Sequence, residues 1–156
     1  MELRTQPLAA ADDLERRLRD LERLGFESAV LETVRAGLLA KRGLLSKAAE
    51  TYRRALATAP SAEVQITLAD LNFAMGLHFL AERGYREALA EAGRAGRAAA
   101  TFGLGRVAYS RGNYGESAVC FRQARELYST LRLEEEREAA RRAESRAMVK
   151  AKNQVP

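Results

Sequence analysis

The sequence predicts an all-α fold, an α-α superhelix of about three helical hairpins with a capping helix at each end. Three observations carry that prediction. Apolar residues recur at helical spacing along almost the whole chain. Short glycine-bearing breaks near Gly25, Gly43, Pro60, Gly76, Gly93 to Gly96 and Gly112-Asn113 divide it into segments too long for ordinary strands. Three of the resulting stretches also repeat one another, and because the breaks are short, a single array over residues 1–156 is expected rather than separate domains.

The elements follow in order. A first helix over residues 10–24 carries Leu14, Leu18, Leu21 and Leu24 on one stripe, opens on Asp12-Asp13, whose charge suits the helix dipole, and stops at Gly25. Hairpins are expected over 29–60, 62–92 and 95–130. Pro60 closes the first of these, because the residue before a proline is pushed out of helical geometry. The last segment, 132–150, reads as a charged capping helix that opens on Glu134-Glu135-Glu136 and carries Ala139, Ala143 and Ala147 on one side.

Self-similarity emerges when Ala36 to Leu56, Ala69 to Leu89 and Gly105 to Arg125 are overlaid. Each stretch starts on a small residue and reaches a glycine seven positions on: Gly43, Gly76 and Gly112. Nine positions further comes a ring, Tyr52, Tyr85 or Phe121, and three beyond that an alanine, Ala55, Ala88 or Ala124. The offsets between copies, 33 and 36 residues, fall in the period range of helix-turn-helix solenoids.

In this respect the chain resembles the tetratricopeptide repeat family. The match is best in the third copy, at Leu104, Gly105, Gly112, Tyr114, Phe121 and Ala124. Ala36, Gly43, Ala48, Tyr52, Ala55 and Pro60 carry it in the first copy, and Leu68, Ala69, Gly76, Ala81, Tyr85 and Ala88 in the second. Small side chains let paired helices approach, and the ring fills the space toward the next repeat. The second copy departs from the pattern: it has no closing proline and runs into Ala92-Gly93-Arg94-Ala95-Gly96.

Composition narrows the function. Hydrophobic residues make up 47% of the chain but are mostly Ala and Leu, with 6% aromatics and no Trp. A single cysteine, Cys120, permits neither an internal disulfide nor a structural metal site. No apolar run is long enough to span a membrane and the N-terminus lacks a secretory layout, so a cytoplasmic protein is expected. The net charge is +5, with basic and acidic residues interspersed as on a solvated helical surface.

No catalytic, cofactor-binding or metal-binding residue is predicted. His78 is the one histidine and falls just after a turn glycine, where a packing role is expected; Cys120 precedes Phe121 and reads as a small apolar side chain. Gly103-Leu104-Gly105 has no strand before it and no third glycine at nucleotide-loop spacing, so it is read as thinning a helix for close packing.

The resemblance implies a non-catalytic adaptor or scaffold module whose partner, a protein or a peptide segment with apolar anchors, lies in a groove lined by the first helix of each hairpin. The groove positions are Val30, Thr33 and Lys41 in the first copy, Ile66, Asp70 and Phe73 in the second, and Phe102, Arg106 and Tyr109 in the third. Rings and arginine are common among binding hot spots. The alternatives are that these rings only pack between hairpins, or that the chain's own terminal helix fills the groove. Self-association is a further possible use of that surface. Rival functions are a small secretion-type or assembly chaperone, and RNA or DNA binding by a basic helical array through Arg83, Arg86, Arg94, Arg97 and Arg106.

Overall fold

The computed structural model describes residues 6–25 and 27–154, and their side chains from Asp13 onward except that of Leu14. These residues form α1 (Gln6–Arg23), α2 (Ser28–Lys41), α3 (Leu45–Thr58), α4 (Ala62–Ala74), α5 (His78–Glu91), α6 (Arg94–Ser110), α7 (Tyr114–Leu131) and α8 (Glu134–Lys152), with no strand among them. The fold is all-α and built of helical hairpins. It divides into two compact units, Met1–Pro60 and Ser61–Pro156.

One turn device closes every hairpin. Gly43, Gly76 and Gly112 sit at φ +76°, +76° and +80°, a left-handed conformation that costs glycine little and other residues about 1 kcal/mol or more. That geometry lets the next residue donate its N–H to a carbonyl five positions back: Leu44 to Leu39 at 3.0 Å, Leu77 to Asn72 at 2.8 Å, and Asn113 to Ala108 at 2.9 Å. The same bond, Leu133 to Tyr128 at 3.1 Å, joins α7 to α8, but there a non-glycine residue, Arg132, takes the left-handed position at φ 57°.

The first unit pairs α2 with α3 over a core of Ala36, Ala48, Ala49, Tyr52 and Ala55, all nearly inaccessible to solvent. Alanines at these places let the two helix backbones close up around one ring. Of the leucine stripe expected on α1, Leu18 is buried, Leu21 is half-buried and Leu24 is 75% exposed; Leu14 lies outside the described side chains.

Ala59 is extended ahead of Pro60, and the Ser61 hydroxyl accepts the Val64 N–H at 3.4 Å, so the second unit opens on a capped helix. Its core gathers Ile66, Ala69, Ala81, Tyr85, Ala88, Ala100 and Val107 from α4, α5 and α6. A methyl group on Gly103 would lie 2.3 Å from the Tyr85 ring, and one on Gly105 would lie 2.8 Å from the Phe121 ring. Helix α6 is thus bare on two sides and receives one ring from α5 and one from α7. The Gly105 carbonyl, exposed by the missing side chain, accepts the buried Ser117 hydroxyl at 2.8 Å.

Helix α8 packs on α7 through Ala140, Ala143 and Ala147, with Ala139 only half-buried, one position away from the alanine set expected. Its Glu144 is 7% exposed and bridges Arg122 at 2.9 Å and Arg125 at 3.3 Å, both on α7. The inward pair Ala140 and Ala147 repeats the inward pair Ala100 and Val107 of α6 at an offset of 40 residues. By that register α8 occupies the place of the first helix of a further hairpin.

Candidate binding groove

The first helices of the second unit stand in a common register, and it decides which side chains share a face. At an offset of 36 residues, Ile66, Asp70 and Phe73 of α4 match Phe102, Arg106 and Tyr109 of α6; at 40 more, these match Arg142, Arg146 and Val149 of α8. Side chains spaced three and four apart lie along one helix face, so each helix presents one such row.

The third-copy residues and Phe73 converge. Phe73, Phe102, Arg106 and Tyr109 line one open cleft of about 250 Å³, completed by Ser110, Phe121, Ala143 and Arg146. The Phe102 ring packs against Phe121 at a tilt of 53° with centroids 5.1 Å apart, and Tyr109 meets Tyr114 edge-on at 5.0 Å. The floor is therefore aromatic and the α8 side supplies a small residue and a cation. A second, wider cleft of about 720 Å³ continues from Phe102 along α8, past Ala139, Arg141, Arg142, Ala143, Ser145 and Arg146.

Asp70 does not face a ligand alone. Its Oδ1 accepts the Tyr85 hydroxyl at 2.6 Å and an Arg106 guanidinium N–H at 3.0 Å, while that guanidinium lies 4.2 Å from the centre of the Phe73 ring. Burial, with the hydrogen bond to the neighbouring carboxylate next, pushes the Tyr85 hydroxyl far above the ordinary phenol range, so it stays protonated and keeps donating. The network locks the Arg106 side chain across α4 and α6 and neutralises its charge.

The remaining groove candidates fall elsewhere. Ile66 is 8% exposed and belongs to the core, where its Cδ1 lies beneath Gly96. In the first unit, Val30 is half exposed, Lys41 is exposed at the end of α2, and the Thr33 hydroxyl is turned to the Ala29 carbonyl at 2.8 Å. Sequence reasoning missed Arg142 and Arg146, having read α8 as a polar cap. A signal was present in the Ala140/Ala147 spacing that repeats Ala100/Val107.

The groups that carry chemistry are otherwise engaged. His78 packs edge-on against Phe73 at 5.2 Å and its Nδ1 lies 3.2 Å from the Ser110 hydroxyl. That hydroxyl also lies within hydrogen-bond reach of the Val107 carbonyl, to which it donates at 2.8 Å. Cys120 lines a polar cleft with Glu82, Arg86 and Arg111, and burial pushes its thiol up, away from the reactive thiolate. Among the described residues no three His, Cys, Asp or Glu side chains are grouped to hold a metal ion, and no helix is long and apolar enough to cross a membrane.

These observations define a class, an all-helical hairpin-repeat protein with an aromatic groove in its second unit. No family model and no curated protein matches the sequence. The fold is similar to that of two solved structures of MamA. One aligns with a TM-score of 0.60 at 16% identity over 99% of this chain and 98% of MamA; the other has a TM-score of 0.60 at 18% identity over 95% and 90%. At that identity the likeness speaks for the fold.

Proposed function

We propose that the chain is a non-catalytic adaptor or scaffold module of the tetratricopeptide kind, which holds a protein or peptide segment in the groove of its second unit. One observation carries the reading: Phe73, Phe102 and Tyr109, packed against the core on one side and half-buried, line a single open cleft of about 250 Å³. A cleft of that kind accepts an apolar side chain, and rings bury area there at low conformational-entropy cost. On the first unit, Val30, Thr33 and Lys41 are proposed as a contact strip along α2.

Tyr109 is the better probe of the groove because Phe102 also packs against Phe121. Short random peptides displayed on phage and panned against the intact chain yield binders that Tyr109→Ala weakens about ten-fold or more. Far-UV circular dichroism stays unchanged, and Val119→Ser, on an exposed part of α7, leaves binding intact. Binders indifferent to Tyr109→Ala place recognition outside this groove.

A further inference from the structure

We infer that the segment this groove takes is acidic: a polypeptide stretch with an apolar anchor for the Phe102/Tyr109 cleft and carboxylates for Arg142 and Arg146. The inference rests on the proposed peptide-binding role and adds the chemistry of the occupant.

The charge of the second unit is unevenly satisfied. Arg83 pairs with Glu87, Arg86 and Arg111 with Glu82, Arg106 with Asp70, and Arg122 and Arg125 with Glu144. On α8 itself Arg137 pairs with Glu134 and Arg141 with Glu138. Among the described residues Arg142 and Arg146 have no ion-pair partner, and both line the wide cleft that starts at Phe102. Among the described residues Arg94, Arg97, Arg132, Lys150 and Lys152 of the second unit have no ion pair either, but Arg142 and Arg146 are the neighbouring pair of such cations that lines the cleft.

Those two side chains stand one helical turn apart, with Cβ atoms roughly 5–6 Å from each other. Like charges at that spacing repel weakly, and a carboxylate or pair of carboxylates both removes the repulsion and accepts bidentate guanidinium bonds. Carboxylates three or four apart on a partner helix, or two apart on a strand, match the spacing. The register supplies the rest: Arg142 and Arg146 stand on α8 at the positions that Phe102 and Arg106 hold on α6, and Phe102, Arg142 and Arg146 line the same cleft. An apolar anchor on α6 and an acidic group over α8 thus fit one continuous segment.

Nucleic acid fits less well. A phosphate backbone needs cations spread along the surface, whereas of the basic array Arg83, Arg86 and Arg106 are already held by carboxylates and only Arg94 and Arg97 have no ion pair among the described residues. Beside Arg142 and Arg146 the cleft is lined by Phe102, Ala139, Ala143, Ser145 and the glutamate-paired Arg141.

The test pans the displayed random peptides against the full chain and against Arg142→Glu/Arg146→Glu; both residues are exposed, and thermal melting confirms that the variant stays folded. The wild-type chain selects peptides enriched in Asp and Glu beside Leu, Phe or Met. A synthetic peptide from that set binds about ten-fold or more weakly to the double variant and weakens as salt rises, and the variant selects Lys- and Arg-bearing peptides instead. Selected peptides without acidic enrichment, whose binding still depends on Tyr109, overturn the acidic chemistry while leaving the groove standing. Absence of any Tyr109-dependent peptide sinks both. Displacement of the peptide by equimolar single-stranded oligouridine overturns the inference in favour of nucleic acid.

Discussion

The Tyr85 ring lies against the bare backbone of Gly103, so close that a single added methyl group would stand 2.3 Å from its Cζ. Tyr85 is fully buried, and its ring occupies the volume a side chain at position 103 would need. This contact brings α5 and α6 together and carries the Tyr85 hydroxyl to Asp70.

Gly103→Ala is therefore expected to destabilise the protein by about 1–3 kcal/mol or more, despite alanine's better helix propensity, because the core is overpacked and the ring must move. Gly115→Ala makes the control. Nothing lies within 4 Å of its added methyl group, and it is expected to leave stability unchanged or raise it by up to about 1 kcal/mol. Thermal melting of both variants checks the pair; equal behaviour would mean the ring is not confined.

The Asp70 carboxylate serves two donors of unequal burial. Removing it by Asp70→Ala leaves the buried Tyr85 hydroxyl without its partner, at a cost of about 1–3 kcal/mol. The Arg106 bond adds less than about 1 kcal/mol, since both side chains are substantially exposed and screened. Tyr85→Phe should cost about 1 kcal/mol, and a double-mutant cycle by denaturant unfolding should show strong coupling between positions 70 and 85. Additive losses would contradict the network.

Stability should fall in alkali. Burial, helped by the charges of Glu136 and Asp70, pushes the Tyr128 hydroxyl up to about 12 from its ordinary 10.0. The fold thus favours the neutral phenol: this contribution is complete below the unfolded-state value and is lost as pH rises from 10 through 12. A two-unit shift corresponds to about 3 kcal/mol at its limit. Urea unfolding across this range should show a steeper alkaline loss in the parent protein than in Tyr128→Phe.

Arg132 holds a left-handed conformation at the α7–α8 turn, in the place filled by glycine in the hairpin turns. Arg132→Gly is expected to stabilise the protein by about 0.5–1 kcal/mol, because the backbone strain of a β-carbon at positive φ disappears. A lower melting temperature for this variant would show that the Arg132 side chain contributes more than its backbone costs.

The groove was legible in part, and the misses have physical causes. Phe102, Arg106 and Tyr109, which line the cleft with Phe73, were named from the family resemblance and the repeat register, each at the same place on a first helix as Ile66, Asp70 and Phe73. Ile66 went to the core instead, because it clusters there with Ala69, Tyr85, Ala100 and Val107 and an aliphatic chain gains more by that burial than by facing water. The Asp70–Arg106 pair had an unused signal: opposite charges at matching positions of successive repeats. Arg142 and Arg146 were hidden by the longer offset to α8, and the α7–α8 turn by the absence of a glycine.

The amino-acid sequence by itself determined the helices, the hairpin turns and the rings that fill them, because periodicity, small residues and positive-φ glycines act between neighbours along the chain. Pairs within one helix, such as Arg83 with Glu87, follow from spacing, but only the tertiary structure decided which arginines meet a carboxylate on another helix, as Arg106 meets Asp70, and which line the cleft. Pairing between helices depends on distances between side chains far apart in sequence, and a few ångströms separate a neutral ion pair from an exposed cation.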